Sequence, residues 1–249
     1  MLMLNQLNGF NASRKTGIQF VGSKTLDTTS SGISGFTFDI TGLTGGIDTE
    51  ARLNDFLIWG HSASLGADAA MGSTATGLTV TEEADLYSND SFDANLGVYW
   101  AYCDAAPPTS VTCTNGSLSA NFGKNAIMLV FRGVHPTTPM DVTRTVATGL
   151  NTTVANPPSI TPVTPGACIV HFGHGAHGTT NRSYTAGPSG YDYFVTVNNA
   201  GTAPSTQRSV MGAGYKLNVP ASAQDPGVYT GTNNTNDSWA ACTLALRPG

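Results

Sequence analysis

Charge is what this chain has least of. Only 11% of its 249 residues are Asp, Glu, Lys or Arg, against roughly 25% in ordinary globular proteins. Glutamate occurs three times (Glu50, Glu82, Glu83) and lysine four times (Lys15, Lys24, Lys124, Lys216). Those two are good helix formers, whereas the Thr, Ser, Gly and Asn that are plentiful here are poor ones. Strands joined by turns are therefore expected. No window of ten or more residues carries a convincing 3.6-residue apolar period, and only Glu82–Leu86 suggests a single helical turn. Missing basic runs leave nothing to neutralise phosphates, so no nucleic-acid partner is expected. There is no apolar run of about 18 residues, which excludes a helical membrane span. The opening residues show neither a basic segment nor a long apolar run, so no targeting signal is expected. GxGxxG, P-loop and HExxH patterns are absent too, and no cofactor is called for. Disorder goes with high net charge and few aromatics; a net charge of −5 and an apolar fraction of 40% point to a folded core.

What is present is a repeat. Asp55-Phe56-Leu57-Ile58-Trp59-Gly60-His61 and Ala167-Cys168-Ile169-Val170-His171-Phe172-Gly173-His174 are both apolar strands ending in Gly-His, with His61 and His174 lying 113 positions apart. At nearly the same offset, Ile127–Gly133 and Thr243–Pro248 are apolar strands that end at an arginine, Arg132 and Arg247. Two related halves of this kind describe one large antiparallel β-sandwich, jelly-roll-like in character. Strands are expected at 17–22, 35–40, 55–61, 77–81, 96–103, 111–114, 126–131, 141–147, 159–161, 167–172, 191–197, 209–217 and 239–246, each bounded by Gly, Pro, Asn or Asp. The proline-rich stretch 151–165 reads as an extended crossing between the sheets of that sandwich. Residues 1–17 form a short semi-apolar arm, with Leu4, Leu7 and Phe10 recurring every three residues, and 18–249 form the sandwich domain. The arm is expected either to fray or to dock on a neighbouring subunit.

Reactive constellations are thin. His171, His174 and His177 are the one cluster of ligand-type residues, but on a regular strand His171 and His174 point to opposite faces. The expectation is a polar loop leaving a buried strand, with no metal bound. Trp59-Gly60-His61-Ser62-Ala63-Ser64 resembles a nucleophile elbow with Ser64 in place of the last glycine, and no helix pattern follows it, so Ser62 is not expected to be catalytic. The glutamates lie in two places and the aspartates sit mostly in turns, which makes a catalytic carboxylate pair hard to assemble. Cys103 and Cys113 flank a turn-rich segment and could face each other across a hairpin, where geometry decides whether they join; Cys168 and Cys242 sit inside apolar runs. Tyr184, Tyr191, Tyr193, Tyr229 and Trp239, set among Asn, Ser and Thr, suggest either strand tyrosines covering sheet edges or an aromatic platform for a glycan. No catalytic, cofactor-binding or metal-binding residue is assigned.

The opening strand Gly17–Ser23, the strand-Gly-His elements, the strand Ile127–Gly133, and the ending Ser238–Pro248 together resemble small virion proteins of tailed bacteriophages and prophages. The arm Asn5–Phe10 is similar to leaders on such proteins. That resemblance implies a jelly-roll sandwich acting as a capsid decoration (cement) or tail-associated subunit, commonly trimeric, with no catalytic residues. It implies the major capsid protein or tail proteins as partners, and assembly into the virion within the bacterial host cytoplasm. The alternative expectation is a tail or head-fibre module that recognises a cell-surface glycan through the second-half aromatics.

Overall fold

The computed structural model describes residues 17–28, 35–90, 92–116, 123–150, 154–177, 183–199, 208–232 and 238–249. The arm therefore lies outside the described residues, apart from Gly17. Fifteen strands and no helix occur among them: β1 Gln19–Thr28, β2 Gly35–Asp39, β3 Asp55–Leu65, β4 Met71–Ala75, β5 Thr81–Ser88, β6 Asp93–Tyr102, β7 Ser110–Asn115, β8 Lys124–Arg132, β9 Thr145–Leu150, β10 Ala167–His177, β11 Ser183–Ala186, β12 Tyr193–Asn198, β13 Arg208–Val219, β14 Thr230–Thr232 and β15 Ser238–Leu246.

The first half builds a five-stranded sheet in the order β1-β8-β3-β6-β5, and the second builds another in the order β12-β13-β10-β15-β9, all pairings antiparallel. If the five main strands of each half are taken in chain order, the two sheets have the same topology. The all-β sandwich of two repeated halves is thus observed. No strand crosses into the other half's five-stranded sheet; within the first half the chain instead passes back and forth between the five-stranded sheet and the three-stranded sheet of β2, β7 and β4, and within the second half between its five-stranded sheet and the β11–β14 pair. The two sheets close on one core of Phe20, Phe56, Ile58, Leu129 and Phe131 from the first and Val170, Phe172, Met211, Tyr215 and Leu244 from the second. β3 lies over β10 and runs the same way, since Gly60 faces Phe172 while Ser62, two residues on, reaches Ser209, the partner of Ala176.

The arginine repeat holds in kind, each arginine gripping a buried aspartate, although Asp55 opens β3 while Asp141 lies in the loop before β9. Arg132 grips the buried Asp55 with two bonds of 2.8 and 2.9 Å, and Arg247 grips the buried Asp141 at 3.2 Å. The Gly-His repeat does not. Side chains alternate faces along a strand, and the ladders pair Asp55 with Arg132 but Cys168 with Leu246, one short of Arg247, so the two Gly-His motifs sit one residue out of step and face opposite sides. A Cβ on Gly60 would strike Met211 and Phe172 between the sheets, whereas one on Gly173 would strike Tyr229 and Ala155 on the outside.

Each sheet also has an outer cover. β2, β7 and β4 form a three-stranded sheet over the first one, burying Phe36, Phe38, Leu57, Trp59, Tyr99 and Met128. The second is covered by the β11–β14 pair and by segment 154–160 of the proline-rich crossing, where Val154, Ala155 and Ile160 are buried. Several expectations are corrected. Glu82–Leu86 is not a helical turn but the middle of edge strand β5, whose exposed Glu82 and Asp85 mark its wet face. The strand expected at 77–81 is a turn entering β5, and 159–161 contributes only the isolated Ile160–Gln224 bridge. β4, β11 and β14 carry no strand signal in the sequence.

Candidate functional site

Strand β10 does not end before its histidines. It runs on through His177, and His171, His174 and His177 are all fully buried. His171 and His177 face the outer cover while His174 faces the inter-sheet core, so the expected polar loop is replaced by three separate buried environments. No group of three His, Cys, Asp or Glu among the described residues is placed to hold a metal ion. Tyr229 donates its hydroxyl to the Gly212 carbonyl at 3.3 Å, which leaves an oxygen lone pair for His171 Nδ1–H at 2.7 Å. Burial pushes the His171 pKa down to about 3. His61, stacked on Tyr99 at 5.3 Å with neither ring nitrogen in a well-formed hydrogen bond, is pushed down by burial to about 4. Both imidazoles are neutral spacers in the core rather than acid–base groups.

His174 belongs to a polar knot between the sheets. Ser209 Oγ meets Ser62 Oγ at 3.2 Å and His174 Nδ1 at 3.2 Å, and accepts from Asn125 Nδ2 at 3.0 Å. Its backbone N–H donates to Asn199 at 2.8 Å. This brings a serine beside a histidine, but Ser62, Asn125, His174 and Ser209 all have zero exposure, and Ser62 sits mid-strand rather than on a strand-turn-helix elbow. The knot can register the two sheets against each other and cannot meet a substrate.

Cys103 and Cys113 are free and buried, as are Cys168 and Cys242. β6 and β7 belong to different sheets, so the anticipated hairpin does not exist; burial pushes both the Cys103 and Cys113 thiols up to about 12. Among the aromatics proposed for glycan contact, Tyr184, Tyr229 and Trp239 are buried, and Tyr191 packs edge-on to His171 at 4.9 Å. They form no exposed platform. Glu83 is held by Trp100 Nε1 at 3.1 Å and by Arg144 at 3.6 Å. Half-burial raises the Asp85 carboxyl to about 6, helped by Glu82 and Asp68.

One concave feature with room for a ligand is a cavity of about 510 Å³ lined by Gly17, Ile18, Phe20, Gly45, Ile47 and Tyr215, with Gln19, Gly46 and Leu217. Its floor is an aromatic cluster: Phe20 lies 4.8 Å from Tyr193 and 4.5 Å from Tyr215, and Tyr193 stacks on Tyr215 at 5.6 Å. Gly45, with φ of +80°, lets the turn close over the Tyr193 ring, and Ser23 Oγ meets the Tyr193 hydroxyl at 2.8 Å. Gly17, where the described chain begins, is part of the rim. With no carboxylate, amine or imidazole in the lining, the cavity suits an apolar group held by shape. The sequence pattern places Phe20 and Tyr215 in strands but holds no signal that loop 45–47 walls a pocket between them. Compared with family models, characterised proteins and solved structures, the chain matches none.

Proposed function

We propose that this protein is a non-enzymatic structural subunit of a tailed-bacteriophage virion, of the capsid decoration or cement type, acting through contacts between subunits. The observation that carries the structural part is where the reactive groups lie. Four cysteines and the histidines at 61, 171, 174 and 177 are buried, and the sizeable cavity beside Phe20 offers shape without acid–base chemistry. The virion part rests on the sequence resemblance of the opening and closing strands. A rigid sandwich with few surface charges suits permanent burial against protein neighbours. Added interface across capsomer junctions would stabilise a shell by mass action of binding. The arm, residues 1–17 of the sequence, is the tie to a neighbour in this reading. Nothing in the placement of Tyr184, Tyr229 or Trp239 favours the glycan reading.

Immunogold electron microscopy of the particles tests this directly. Gold spread regularly over heads is the expected result; gold at tail ends would move the role to the tail, and unlabelled particles would remove the virion reading. Deleting residues 1–16 should abolish incorporation while the sandwich still folds, and normal incorporation of that truncated chain would refute the arm's role.

A further inference from the structure

A sheet edge presents unpaired backbone N–H and C=O groups that template pairing with another chain unless they are blocked. The two five-stranded sheets have four edges, and three of them carry a device of this kind. Loop 44–48 covers the first half of β1: Ser23 and Thr44 exchange backbone bonds of 2.8 and 2.9 Å, and the N–H groups of Ile47 and Asp48 donate to the carbonyls of Phe20 and Val21; the second half carries Lys24 and Asp27. β5 carries Glu82, Glu83 and Asp85 and a register break between Glu82 and Ala84. β12 is hemmed in, with Tyr193 bonded to Ser23 and the Phe194 ring lying against Gly187; only its Thr196 is exposed. Among the described residues β9 carries no charge, no register break and no covering loop; Ser88 Oγ of β5 donates to its Gly149 carbonyl at 3.2 Å. Thr145-Val146-Ala147-Thr148-Gly149-Leu150 is uncharged and proline-free, its residues alternate between half-buried and exposed, and it pairs on one side only, with β15. Among the described residues no backbone-to-backbone bond reaches its other side. Val146 is 45% exposed and Leu150 50%.

We infer that β9 pairs antiparallel with β9 of a second copy of this chain, centred on Thr148. That register is self-complementary. A two-fold axis at Thr148 places Thr148 opposite its twin and Val146 opposite Leu150 of the partner strand on one face, with Ala147 opposite Gly149 on the other. Thr–Thr and aliphatic pairs are favourable cross-strand neighbours, and no like charges meet. The same two-fold applied to β5 would bring carboxylates together. The contact is two-fold, so it makes dimers rather than the trimer the resemblance implies. It deepens the assembly role proposed above, yet it is tested on purified protein and so fails separately from particle location.

Two experiments on the full chain decide it. In sedimentation equilibrium the mass should rise from 25.7 kDa towards twice that value between about 1 and about 100 µM, as a small interface of moderate affinity requires. Thr148→Lys, at an exposed position, should weaken association at least about ten-fold with an unchanged melting curve. A monomer at all concentrations, a trimer, or an undiminished dimer in Thr148→Lys would overturn the pairing. Thr148→Cys supplies a gain of signal. Directly opposed residues in antiparallel strands have Cα atoms about 4.5–5.5 Å apart, within disulfide range. Two such thiols, losing two electrons and two protons to added diamide, should give a covalent dimer. Ile47→Cys, on the opposite edge, should give none. If only Ile47→Cys cross-links, the contact is at the cavity and the β9 pairing is wrong.

Discussion

On the outer face of the first sheet the bulky side chains stand on the sheet itself, where Leu57, Trp59, Tyr99 and Met128 meet the cover strands. On the outer face of the second sheet the middle of β10 and β13 is glycine, and bulk comes from the cover (Tyr229) and the edge (Phe194) as well as from His171 and Trp239 on the sheet itself. Gly173, Gly212 and Gly214 leave space that Tyr229, Phe194 and the His171 ring occupy, and a Cβ at any of them would fall within 3 Å of those rings. One strand order has been closed in two different ways. The lesson is that topology constrains where strands go and leaves open which partner supplies the volume, provided the space is filled to the density of a protein interior.

Acid should break both covers, and this is the largest effect expected. His61 and His171 are held neutral well below the ordinary histidine value, to about 4 and about 3. The unfolded chain therefore takes up protons first, and stability present above about pH 6.5 is lost progressively as pH falls towards 4 and below. A tenfold difference in proton affinity between the folded and unfolded chain is worth about 1.4 kcal/mol, so the two imidazoles together amount to several kcal/mol. Asp85, raised to about 6, works the other way over the same window, but its half-exposed carboxyl is screened and offsets little. Urea melts at pH 7 and pH 4.5 measure the loss, and His61→Leu should flatten the slope because its ring nitrogens forfeit no well-formed hydrogen bond. An unchanged midpoint across that window would rule out the neutral-histidine account.

Removing bulk from the sheet in the first half comes next. Trp59→Ala should cost about 3–5 kcal/mol, measured as a shift of the urea midpoint. Adding bulk to the sheet in the second half should cost less: Gly212→Ala crowds Phe194 and Tyr229, for about 1–3 kcal/mol. Gly66→Ala, which meets nothing within 4 Å, serves as the neutral control. If Gly212→Ala proves as harmless as Gly66→Ala, the contrast between the covers collapses. The smallest effect is Tyr229→Phe, which keeps the ring and leaves His171 Nδ1 and the Gly212 carbonyl without their shared hydroxyl. About 1–2 kcal/mol should be lost, with calorimetry as the measure.

That contrast also explains what could be read in the sequence. Continuous apolar runs such as Ala126–Phe131 announce a strand covered on both sides, and the arginines that end β8 and β15 announce the repeat. Glycine works against legibility. Gly173 and Gly175 look like the start of a loop because glycine weakens a strand, and only Tyr229, more than fifty residues later, reveals why the strand continues. The second-half tyrosines look like surface aromatics because their neighbours in sequence are polar, while their neighbours in space are those glycines. Glu82 and Glu83 suggest a helical turn in a chain where charge is so scarce, yet their place is an edge strand that must not pair. The one-residue slip of the Gly-His motif shows that similarity of letters is not equivalence of faces.

Loop 44–48 limits how many neighbours the molecule can take. Internal two-fold repetition would ordinarily give a subunit matching edges on both sides, and such a subunit polymerises into a ribbon without end. By occupying backbone groups of Phe20, Val21 and Ser23, that short loop covers the first half of β1, on the far side of the molecule from β9. Under the β9 pairing inferred above, a building block with two ends would become one with a single valence, and growth by edge pairing would stop at the first addition.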